Sequence, residues 1–98
     1  MAHPSKQKGN RFERLIVNIA KDEGIKAKRA YGSNGMALGC HEEVDVLLDD
    51  KIKIQAKVRK RIANWIIPSE HVDIQVIKED RGIPYAVIPF DEYLKLIK

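Results

Sequence analysis

Ninety-eight residues make one small domain's worth of chain, too short to join a substrate domain to a separate cofactor domain. The composition, 44% hydrophobic and 33% charged with a net charge of +4, is too apolar for a disordered tail, and no apolar run approaches the roughly eighteen residues of a membrane span. A single cysteine, Cys40, excludes an internal disulfide framework and any multi-cysteine zinc or iron-sulfur site.

In chain order, Phe12, Leu15, Ile16, Ile19 and Ala20 recur at spacings of three and four, which predicts an amphipathic helix over 11–23. Asn10 stands at the N-cap position, and Gly24 at the position where the chain turns left-handed after a helix. A short strand is expected over 25–31. Gly32, Ser33, Asn34, Gly35 and Gly39 then predict an irregular loop over 32–42. Two strands, 43–48 and 52–58, follow around Asp49, Asp50 and Lys51. In the second, Ile52, Ile54, Ala56 and Val58 alternate with Lys53, Gln55, Lys57 and Arg59, giving one apolar and one polar face. A two-residue turn would oppose apolar to polar residues, whereas a three-residue loop pairs Leu48 with Ile52, Val46 with Ile54, Asp45 with Gln55 and Glu43 with Lys57. The second register is the expected one. Ser69 reads as the N-cap of a helix to Glu79 with Val72, Val76 and Ile77 inward. Pro84 and Pro89 enclose a strand, and Asp91 caps a last helix carrying Tyr93, Leu94 and Ile97. The predicted order is α-β-β-β-α-β-α, a single α+β domain over 1–98 with a mixed β-sheet flanked by helices.

Charge is sorted along the chain. Five acidic and no basic residues lie between Glu42 and Asp50, and six basic and no acidic ones between Lys51 and Arg61. Lys6, Lys8, Arg11 and Arg14 form a second basic cluster. Such blocks suit a polyanion, although a solvated surface explains them equally well. The first ten residues hold lysines without an apolar segment, so no secretory signal is expected and the chain is expected in the cytoplasm.

The hairpin register sets Asp45, Gln55 and Lys57 on one polar face. A carboxylate and an amide oxygen can ligate a hard cation while a lysine stabilises an anion or orients water. Asp45 followed by Gln55-Ala56-Lys57 resembles the D-(X)n-(D/E)-X-K signature of the PD-(D/E)XK nuclease superfamily, with Gln55 where the second acid usually stands. Within it the chain resembles the archaeal and phage Holliday junction resolvases over nearly its whole length. Lys8-Gly9 with Phe12-Glu13-Arg14 is similar to their K-G-x-x-x-E-R segment, Arg29 with Gly32-Ser33 to their R…G-S segment, Lys57-Val58-Arg59-Lys60 to their basic run, and Gly82-Ile83-Pro84-Tyr85-Ala86-Val87 to their G-x-P-Y-x-V strand.

The resemblance implies a restriction-endonuclease-like core and a Mg²⁺-dependent DNA endonuclease, with Mn²⁺ as a substitute ion. Glu13, Asp45, the Gln55 oxygen and the Ala56 carbonyl are the implied metal ligands, Lys57 the lysine of the reaction, and Ser33 a residue near the scissile phosphate. Lys6, Lys8, Arg11, Arg29, Arg59, Lys60 and Arg61 are the expected DNA contacts. Branched DNA is the expected substrate and no small-molecule cofactor is expected. The alternatives are a DNA-binding module whose metal site has decayed at Gln55 and a general nicking endonuclease. Two symmetric nicks require two sites, so a homodimer is expected, with Trp65, Ile66, Ile67, Leu94 and Ile97 as the apolar residues left over for its interface.

Overall fold

The computed structural model describes residues 4–30 and 35–98. It is an α+β structure whose strands form two small antiparallel sheets, where one mixed sheet was expected, and the chain divides into two compact units, the second being Arg59–Ile97.

The first unit begins with α1 (Pro4–Asp22). The helix starts well before residue 11 because Pro4 suits a first helical position and Lys6, Gln7 and Lys8 are good helix formers, so Asn10 lies inside the helix and is not its cap. The buried face is also rotated from expectation: Glu13, Ile16 and Ala20 are buried while Leu15 is exposed. At its far end Gly24 has φ 77°, its amide bonds the Lys21 carbonyl at 2.9 Å, and the Ile25 amide bonds the Ala20 carbonyl at 2.9 Å. These two bonds are those of a Schellman motif, and the burial of Ile25 and Ala20 supplies its apolar contact.

Strand β1 (Ala27–Arg29) is an edge of a three-stranded sheet in the order β1, β2 (Val46–Leu48), β3 (Ile52–Ile54). Val46 pairs with Ile54 and Leu48 with Ile52, the register expected from the apolar alternation. Asp49 and Asp50 both have positive φ, 54° and 58°, and the Lys51 amide bonds the Leu48 carbonyl at 3.0 Å; aspartate tolerates this left-handed region better than most residues. The strands are shorter than predicted, since regular pairing stops at Ile54. Ile16, Ala20, Ile25, Ala27, Ala30, Val44, Val46, Leu47 and Leu48 make the core, and the two largest fully buried strand residues, Val46 and Leu48, each contribute about 2 kcal/mol by burial.

The second unit carries the main departure from the sequence reading. No helix forms over 69–79. Instead β4 (Gln75–Ile77) pairs antiparallel with β5 (Tyr85–Val87), Val76 lying opposite Ala86. Val72 and Val76 fit helical spacing, but with Ile74 they also alternate at period two, and β-branched residues in that pattern favour a strand. Ser69 forms a local turn, its hydroxyl accepting the His71 amide at 3.3 Å. The Gln75 side-chain amide donates to the carbonyls of Trp65 and Ile66, holding the short 3-10 turn Asn64–Ile66 to β4. Helix α2 (Phe90–Ile97) opens two residues earlier than a cap at Asp91 implies, so that Asp91 lies with Glu92 in its first turn, where carboxylates suit the positive end of the helix dipole. Leu94 is fully buried and so does not belong among the spare interface residues, whereas Trp65, Ile67 and Ile97 are exposed. Among the described residues no helix is long and apolar enough to cross a membrane.

Candidate active site

Two acidic side chains are buried among the described residues, Glu13 (5% exposed) and Asp45 (9%). Both are positions singled out from the sequence. Water solvates carboxylates strongly, so burial needs compensating partners.

Glu13 sits on the inward face of α1, one turn before Ile16. Its Oε1 accepts from Arg29 Nε at 3.0 Å, and the Arg29 side chain is itself only 17% exposed. The pairing of Arg29 with Val46 places the arginine in the row of strand residues that contains the buried Ala27. Arg29 was expected among the DNA contacts. The structure makes it the counter-ion of Glu13, a role the sequence signals only through the proximity of a helix to the strand that follows it.

Asp45 precedes β2 and is fixed at three points. Its amide donates to the Ile54 carbonyl at 2.8 Å and its carbonyl accepts from the Ala30 amide at 2.8 Å. Its Oδ2 accepts from the Ala56 amide at 2.8 Å. The last bond explains the short hairpin: beyond Ile54 the amide of Ala56 is taken by a side chain, and the ladder cannot continue. Asp45 is thereby locked against the segment Gln55-Ala56-Lys57. Glu13 joins the same framework through β1, because Arg29 bonds Glu13 and the next residue, Ala30, bonds Asp45.

Gln55 and Lys57 flank Ala56 and are exposed, neither forming a hydrogen bond or ion pair with another described residue. Ser33 lies outside the described residues. Lys6, Lys8 and Arg11 are exposed on α1, and Arg59, Lys60 and Arg61 are exposed in the second unit.

The available donors are two carboxylates, the Gln55 amide oxygen and the Ala56 carbonyl. All are oxygens, which fits a hard divalent cation such as Mg²⁺. Among the described residues no group of three or more Asp, Glu, His or Cys side chains stands ready to hold a metal ion, so an ion here would take its other ligands from amide and carbonyl oxygens and from water. A cleft of about 440 Å³ opens beside Arg29, lined also by Lys21, Lys28, Val17, Ala37 and Leu38. A second, apolar cleft of about 310 Å³ in the second unit, lined by Trp65, Ile77, Ile83 and Tyr85 among others, contains none of the predicted site residues. Comparison of the chain with protein-family models, with curated proteins and with solved structures finds no match.

Proposed function

We propose that the chain is a metal-dependent, structure-selective DNA endonuclease of the Holliday junction resolvase type, acting as a homodimer, with the first unit as a restriction-endonuclease-like core. The observation that carries this reading is the 2.8 Å bond from the Ala56 amide to Asp45 Oδ2. It fixes a buried carboxylate beside an amide and a lysine in the D…Q-x-K arrangement, at the junction of two strands, where only one other acid is buried among the described residues. Glu13, Asp45, Gln55 and the Ala56 carbonyl would hold Mg²⁺, which when bound polarises the phosphate and lowers the pKa of an attacking water. Lys57, exposed and next to Ala56, is available to meet the charge that develops on the phosphate. The exposed cations of α1 and of 59–61 supply sequence-independent phosphate contacts.

A second reading, a DNA-binding module without cleavage, draws support from Arg29, which already neutralises Glu13, and from the neutral Gln55. Incubating a synthetic four-way junction with the protein, in Mg²⁺ and in EDTA, separates the two. The endonuclease reading expects paired nicks in Mg²⁺ only, lost in Asp45→Asn while binding in EDTA persists. Binding without cleavage in Mg²⁺ or Mn²⁺ selects the second reading, and equal nicking of a linear duplex selects a general nicking enzyme.

A further inference from the structure

We propose that the cleft between α1 and the edge strand β1 is a binding groove for the DNA sugar-phosphate backbone, in which Arg29 links a bound phosphate to Glu13. This rests on the nucleic-acid reading above and adds to it two contacts, Lys21 and Lys28, that do not belong to the basic clusters of the sequence.

Among the described residues the cleft lining contains Lys21, Lys28 and Arg29 and no acidic side chain. The other described lining residues, Val17, Ala27, Ala37 and Leu38, are apolar, which suits the sugars of a backbone lying between its phosphates. Two nearby acids temper the positive charge without cancelling it. Asp50 is shared by Lys28, at 3.3 Å, and Lys26, at 2.7 Å, so the trio keeps a net positive charge. Glu13 takes the Arg29 Nε, and a guanidinium has four further N–H groups to offer an anionic oxygen.

The spacing along α1 fits an extended polyanion better than a compact ligand. Glu13, Val17 and Lys21 recur every four residues and form one row on the helix. At about 1.5 Å of rise per residue, Lys21 stands roughly 12 Å from Glu13 along the axis. One strand of a duplex advances about 3.4 Å per nucleotide along the duplex axis and its phosphates lie farther apart than that along the backbone, so the row runs alongside no more than about three nucleotides and ends at Glu13. The groove therefore leads a strand toward the buried carboxylate, and Arg29 lies where phosphate and acid compete for the same cation.

Two measurements of junction binding in EDTA, by fluorescence anisotropy across a salt series, test this. Lys21→Gln with Lys28→Gln should flatten the slope of log K against log salt by about two, at roughly 0.9 per phosphate contact. Lys78→Gln with Lys95→Gln, which removes the same charge from exposed positions in the second unit, should leave the slope unchanged. Glu13→Gln should tighten binding several-fold, because Arg29 then serves the phosphate alone, and the gain should vanish when Arg29→Met is added. Wild-type binding with an unaltered slope in the Lys21, Lys28 variant, or Glu13→Gln binding no tighter than wild type with its helical signal intact, would overturn the groove while leaving the nucleic-acid reading in place. A wild-type protein that binds no DNA overturns both.

Discussion

Removing either member of the Glu13 and Arg29 pair should destabilise the protein well beyond the loss of an exposed ion pair. The Nε to Oε1 separation is 3.0 Å, and at an effective dielectric constant of about 20 the attraction is of order 5 kcal/mol before desolvation is subtracted. Breaking a fully buried pair by deleting one partner typically costs 3–5 kcal/mol, because the other charge is left uncompensated. Arg29 retains 17% side-chain exposure, so solvent screens part of the penalty and about 2–3 kcal/mol is expected for Arg29→Met, which keeps the apolar stem and deletes the fork. For a domain of this length that corresponds to a fall of about 10 °C or more in Tm. Urea unfolding followed by the helical signal at 222 nm, on Arg29→Met, Glu13→Gln and the double variant, isolates the pair. The double variant should be less destabilised than the sum of the singles, with a coupling of about 2 kcal/mol. A coupling below about 0.5 kcal/mol, the value of a surface pair such as the half-exposed Lys95 and Glu92, would refute the view that Arg29 is the counter-ion that permits Glu13 to be buried.

Gln55→Glu adds a charge to the proposed ligand set and should tighten Mg²⁺ binding in calorimetric titration and move cleavage to lower Mg²⁺; an unaltered metal dependence would place Gln55 outside the ligand set. Gly24→Ala should lower stability by about 1 kcal/mol, because φ is 77° there and the side chain opposes the left-handed turn; an unchanged denaturation midpoint would mean that the Schellman turn rearranges freely. Asp50 is held below its ordinary pKa of 3.8 by the hydrogen bond from Lys26, then by that from Lys28. A depressed folded-state pKa gives stability that is complete above the unfolded value and is lost as pH falls through the folded one. The stability difference between wild type and Asp50→Asn should therefore be constant through neutrality and shrink below about pH 4, and a difference that grows on acidification would contradict the pairing.

The parts of the fold that were legible from sequence are those fixed by short-range chemistry. The hairpin register followed from the requirement that Val46, Leu48, Ile52 and Ile54 share a face, and the left-handed Gly24 from the end of an apolar stripe. The burial of Glu13 was not legible from periodicity, which centred the stripe on Leu15 and Ile16; it follows from Arg29, a tertiary partner sixteen residues away. The segment 69–79 failed for a different reason. Val72 and Val76 satisfy helix and strand periods alike, and the choice is made by pairing with the strand at Tyr85–Val87, a non-local event. The bond from the Ala56 amide to Asp45 carries no signal in the sequence, since the resemblance points only to the Ala56 carbonyl, a separate group that the amide bond leaves available.

Trp65 is the only tryptophan, and at 67% exposure its indole stands mostly in water. Its intrinsic fluorescence should then be red-shifted and open to collisional quenching by iodide in the native state, while the first unit contributes no indole signal at all. Emission is thus a selective optical probe of the second unit. Any partner that covers the Asn64–Ile66 turn would announce itself in it as a blue shift with protection from quencher. Circular dichroism weighted toward the long helix α1 then complements an emission signal that arises in the second unit alone, without a label being introduced.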